Sequence, residues 1–116
     1  MIEAIIIEYL TEALPDITVS GMVRPDAGTT FITVEKTGSN EIDQITEATL
    51  AIQSWAATQA EAASLNERVK DAMKALVFLP EISRSHCDTD YNNPRLSDKH
   101  PRYQAVFSVV FKEINL

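Results

Sequence analysis

His86, Cys87 and His100 are the side chains of this chain whose types ligate transition metals. Zinc sites gather such residues at close repeats, CxxC or HxxxH, that bring four ligands to one point. Here His86 and Cys87 are adjacent, so on a strand they point to opposite faces, and the sequence has no second cysteine. The set reads as structural. Asp88, Asp90 and Asn92 have the alternating oxygens that open a calcium loop. Asn93, however, stands where the sharp turn needs Gly, and Lys99 stands where a bidentate acid must close the shell. Ser54 and Trp55 end an apolar alternation and read as packing. Arg95, Lys99 and Arg102, with His100, form a basic cluster in the run NNPRLSDKHP. That cluster is either a solvated loop or a docking contact to an acidic neighbour or to DNA. With no paired acids, His-based dyad or Gly-rich phosphate loop, neither catalysis nor a cofactor is expected.

The segments that must carry these residues follow from periodicity. Residues 2 to 14 place Ile2, Ile5, Ile6, Tyr9, Leu10 and Ala13 on one stripe with Glu3, Glu8 and Glu12 off it, the pattern of an amphipathic helix. Pro15 stops it. ITVSGMV (17 to 23) reads as a short strand, PDAGT as a turn, and TFITVEKTG as a β-branched strand closing at Gly38. Ser39 to Ile45 reads as a polar connection with room for one helical turn. Residues 46 to 55 alternate through Ala48, Leu50 and Ile52 to Trp55, then feed a helix from about 59 to 78. Thr58 and Glu61 have the spacing of a capping box, and Ala62, Leu65, Val69, Ala72, Met73 and Leu76 form the buried stripe.

Glu81 to Tyr91 is strand-like but polar, with Arg84 and His86 on one parity. A strand so wet belongs at an edge or against a partner. The final strand, Arg102 to Ile114, puts Tyr103, Ala105, Phe107, Val109 and Phe111 on one face. Val106, Val110 and Ile114 lie on the other. An apolar second face needs a cover: one helix on each side, a sheet curling over itself, or another subunit. The expected fold is α+β, a mostly antiparallel four- to five-stranded sheet packed with two helices in the order α-β-β-β-α-β-β, as a single domain over 1 to 116.

Composition narrows the partners. The 116 residues carry a net charge of −7, which opposes a basic nucleic-acid-binding face. The acidity serves solubility or, in an assembly, an acidic lumen that DNA slides past. The longest wholly apolar run, Ala75 to Leu79, is far short of a membrane span. The first residues lack the basic leader of a signal peptide, and a lone cysteine fits synthesis in a reducing compartment.

The ordered pieces ITVEKTGS, ATLAIQSWA leading into A..LNE.VKDAM..L, and RYQAVFSVVF span roughly residues 30 to 112. Together they resemble the tail-terminator or tail-completion proteins of long-tailed bacteriophages. The resemblance implies a structural role without enzyme activity. It further implies a homo-oligomeric ring of about six copies at the head-proximal end of the tail tube. The partners would be the tube protein and the head–tail connector protein, with DNA passing through the lumen without specific binding. The place implied is the virion tail, assembled in the host bacterial cytoplasm. No site motif transfers with the resemblance. On the residues alone, Val106, Val110, Ile114, Arg84 and His86 are the candidate subunit interface, and Arg95, Lys99 and Arg102 the candidate docking loop. The readings left open beside it are a head-completion or connector component, or a small ligand-binding module.

Overall fold

A computed structural model describes residues 2–112. The chain runs α1 (Ile2–Ala13), β1 (Val19–Ser20), β2 (Phe31–Ile42), β3 (Ile45–Trp55), α2 (Gln59–Lys74) continuing as a 3₁₀ turn (Ala75–Phe78), β4 (Ile82–Asn92) and β5 (Arg102–Lys112). One five-stranded sheet forms in the order β1-β2-β3-β5-β4. The α-β-β-β-α-β-β order is the one the periodicity implies. The sheet is antiparallel except where the short β1 pairs parallel with Ile32 and Thr33.

Both helices lie on the same side of the sheet. Ile2, Ile6 and Leu10 of α1 and Leu65, Val69 and Met73 of α2 pack with Ile32, Val34, Leu50, Ile52, Phe107 and Val109 into one buried cluster. These residues form helices because their large apolar side chains recur every three or four positions and gain only when that stripe is covered. Thr58 caps α2 by accepting the Glu61 N–H at 3.1 Å. Lys74 is the last α-helical residue, and the expected helix to 78 tightens into the 3₁₀ turn before Pro80. A polar seam joins α2 to β4: the buried Asn66 donates to Asp90 at 2.8 Å, and Lys70 reaches the same carboxylate. The Asp90 hydrogen bond, followed by that of Glu67, raises the Lys70 pKa.

The expected connection from Ser39 to Ile45 is not a connection. β2 continues to Ile42 and turns back in two residues, Asp43 and Gln44, so that Ile42 pairs with Ile45. Both turn residues take positive φ, 53° and 68°, as a hairpin turn matched to strand twist requires. A register shift between Lys36 and Gly38 absorbs an extra residue. From Glu35 onward β2 is exposed at the edge of the sheet, while β3 stays paired with β5 up to Ile45 opposite Lys112, in a molecule of 43 × 24 × 24 Å.

Candidate assembly surface

Strand parity decides what the other side of the sheet presents. Pairing places Thr33, Gln53, Gln104 and Tyr91 in one row across β2, β3, β5 and β4. Their side chains form a hydrogen-bonded ladder with a single direction. Trp55 Nε1 donates to Thr33 Oγ1 at 3.1 Å, Thr33 donates to Gln53 Oε1, Gln53 Nε2 donates to Gln104 Oε1 at 2.8 Å, and Gln104 Nε2 donates to the Tyr91 hydroxyl. Each group in the row thus has a partner without help from a helix, which lets polar residues sit on this face at little cost.

At one end of the row the loop 93–101 folds over Trp55, which is only 2% exposed. Phe31 stacks on its ring at 5.1 Å, and His100 meets it edge-on at the same distance. The guanidinium carbons of Arg95 and Arg102 lie 5.0 and 4.8 Å from the ring centroid, within cation–π range. Asp98 accepts both arms of Arg95 and the backbone N–H of His100. Those bonds, the Arg95 pair first, hold the Asp98 carboxyl well below the usual carboxylate range. His100 Nε2 donates to the Thr29 carbonyl at 2.9 Å, and Arg102 Nε donates to that of Asn93 at 2.7 Å. Burial, with the Arg95 charge second, lowers the Arg102 pKa.

Beyond the ladder this face has no cover from either helix. Val106 and Val110 are half-buried there. Val106 lies between Ala51 and Thr89, and Val110 between Glu47 and Arg84. His86 is opposite Ser108 on the same face. The candidate interface residues Val106, Val110, Arg84 and His86 therefore lie on one surface, where β5 and β4 pair side by side. Ile114 lies outside the described residues. Of the loop set, Lys99 is exposed, whereas Arg95 and Arg102 are half-buried against Trp55.

The same parity separates two of the reactive side chains. Cys87 faces the helices and His86 the open side; burial, with the neighbouring Asp90 charge second, raises the thiol pKa. No three His, Cys, Asp or Glu side chains among the described residues converge on a metal position. No helix among them is long and apolar enough to cross a membrane.

Sequence reasoning missed two parts of this surface. The ladder needs strand register, although Gln53 and Gln104, both on the non-core parity of otherwise apolar strands, were its visible trace. The exposed hairpin tip, with Ile42 71% and Ile45 49% accessible, was hidden by the assumption that 39 to 45 is a connection.

The arrangement defines an α+β domain with both helices on one sheet face and an open, partly apolar second face. No protein-family model matches the chain. No curated protein sequence matches it. Among solved structures, it is similar to a chain of the virion of the native gene transfer agent (GTA) particle. That match has a TM-score of 0.56 and 14% identity, covering 95% of this chain and 86% of the other. The two share a fold over nearly their full lengths.

Proposed function

We propose that the protein is a structural component of a phage-like virion: a ring-forming terminator that caps the head-proximal end of the tail tube and joins it to the head connector. The observation that carries this reading is the helix-free sheet face bearing Val106 and Val110, in a fold shared with a virion chain. A half-apolar face of a small domain gains by being covered. A closed ring covers it by a head-to-tail contact repeated around an axis. In this reading Val106, Val110, Arg84 and His86 meet the neighbouring copy, about six copies closing the ring. Lys99, with Arg95 on the same loop and Arg102 at the start of β5, meets the tube protein or the connector. Ring copies of a chain with net charge −7 give the lumen an acidic field that DNA passes without specific binding.

Electron microscopy of tails assembled with and without the protein tests this. Tubes of regular length with it and overlong tubes without it are the expected pair of results. Normal tubes in its absence overturn the reading. Adding the protein separately to isolated tubes and to filled heads distinguishes a terminator, which binds tubes, from a head-completion component, which binds heads.

A further inference from the structure

The two ends of the sheet are built differently. At one end the β2–β3 hairpin terminates in the Ile42–Ile45 pair; at the other, Trp55 pairs with Arg102 under the 93–101 loop. Ten residues of β3 separate them, roughly 33 Å at ~3.3 Å per residue. The hairpin tip is apolar with two acids and one cation: Ile42 and Ile45 stand exposed with Glu41 and Asp43 beside them, and Lys112 is the cross-strand partner of Ile45. The loop end is apolar and basic. An open groove there, of about 390 Å³, is lined by Pro94, Leu96 and Pro101 together with Arg95 and Lys99. Leu96 is 94% exposed. Arg95 is paired with Asp98, and Lys99 has no ion pair among the described residues.

We infer that the hairpin tip of one copy seats in the loop-end groove of the next copy, Ile42 and Ile45 against Leu96 and the prolines, Glu41 and Asp43 toward Lys99. The inference rests on the ring-forming reading; it adds to the sheet-face contact a second one between neighbouring copies, and for it takes the 93–101 loop from the tube or connector and gives it to the next copy. Three observations favour a second copy as the occupant. The patches match in apolar character and oppose in charge, which selects partner and register. They lie at opposite ends of one molecule, so a contact between them is head-to-tail and repeats. Both are held rigid, one by a two-residue turn with positive φ at each position and the other by the loop stitched over Trp55, so little is lost on ordering them. Continuous pairing of sheet edges is the weaker route. β2 carries one bulge and β4 two, and bulges blunt an edge.

Complementation between two variants tests the contact. A tip variant, Ile42→Asp with Ile45→Asp, and a groove variant, Leu96→Asp with Lys99→Glu, alter only exposed side chains. Far-ultraviolet circular dichroism and Trp55 emission verify that each folds. Sedimentation should show wild-type protein as rings and each variant alone as monomers, with affinity lost at least tenfold. An equimolar mixture should give one-to-one dimers and nothing larger, because the mixture retains a single intact tip facing a single intact groove. A swapped-charge chain, Asp43→Lys with Lys99→Glu, should assemble better than Asp43→Lys alone. Rings formed by either variant alone, a mixture that stays monomeric, or wild-type protein that is monomeric up to millimolar concentration would each overturn the inference. Failure of the terminator reading shows elsewhere: rings that obey this complementation while tube length ignores the protein leave the contact standing and remove the role.

Discussion

Trp55 and Arg102 are direct cross-strand partners on β3 and β5, and the Arg102 guanidinium carbon lies 4.8 Å from the indole centroid. The pair explains how a tryptophan on the helix-free side becomes buried. Its cover is made of Arg95 and His100 from the loop and Arg102 from the start of β5. Because Trp55 is the only tryptophan, its emission reports on that loop. Arg102→Ala should shift the emission to longer wavelength and cost about 1–3 kcal/mol through the lost cation–π contact and the lost bond to Asn93. Arg102→Lys should fall between, since an ammonium keeps the charge but not the fork. Urea titration followed by fluorescence gives both quantities. Unchanged emission in the Ala variant would mean that the loop holds without the arginine.

Acid should loosen the same loop. The Asp98 carboxyl is held below its ordinary range by Arg95 and by the His100 N–H. A carboxylate depressed in the folded state contributes stability that is full above its unfolded value, near 3.9, and is lost as pH falls toward the folded one. The Trp55 emission of wild type is therefore expected to be constant above about pH 5 and to move only below about pH 4. Asp98→Asn should show the loosened emission already at neutral pH and no further step in acid from this pair. A wild-type profile in the Asn variant would assign the acid step to another group.

How far these features were legible in sequence depends on whether their cause is local. The α1 stripe from Ile2 to Leu10, the Thr58 half of the capping box and the alternation from Tyr103 to Phe111 are set by nearest neighbours on one element, and they stand as read. The β2–β3 hairpin was misread because its turn, Asp43–Gln44, lacks the glycine that announces a positive φ. The ladder through Thr33, Gln53, Gln104 and Tyr91 joins residues up to 51 positions apart, by register alone. Which side of the sheet the helices choose is likewise tertiary: Val106 has the same alternation whether a helix, a sheet or a second chain covers it.

The ladder makes an energetic prediction. Gln53→Ala and Gln104→Ala each remove a link and leave a neighbour with one unmet bond, so each should cost about 0.5–1.5 kcal/mol. Because the two side chains bond directly at 2.8 Å, the double variant should cost less than the sum, with a coupling of about 0.5–1 kcal/mol. Denaturant unfolding of the four proteins closes the cycle. Strict additivity would show that the two amides find water equally well.

Assembly and stability should separate at Val110. The residue is half-buried, flanked by Glu47 and Arg84, and off the helix-packed core. Val110→Asp is expected to leave the thermal midpoint within a few degrees, as surface changes do, while abolishing ring formation and tube capping. Scanning calorimetry and tube-capping assays measure the two. A variant that caps tubes normally would remove the open face from the interface.

The hairpin turn yields the last expectation. Gln44 adopts φ 68°, a left-handed conformation that costs an L-residue with a Cβ roughly 1–2 kcal/mol and glycine almost nothing. Glycine also makes the unfolded chain more flexible, which takes back part of the gain. Gln44→Gly should therefore stabilise the fold by about 0.5–1 kcal/mol, measured by urea unfolding. The substitution creates the Asp-Gly pair that two-residue hairpins favour and leaves Ile42, Asp43 and Ile45 in place, so head-to-tail assembly should persist in the more stable protein. A stabilised variant that no longer assembles would show that Gln44 itself touches the neighbour, placing the turn, and not only its apolar flanks, inside the contact.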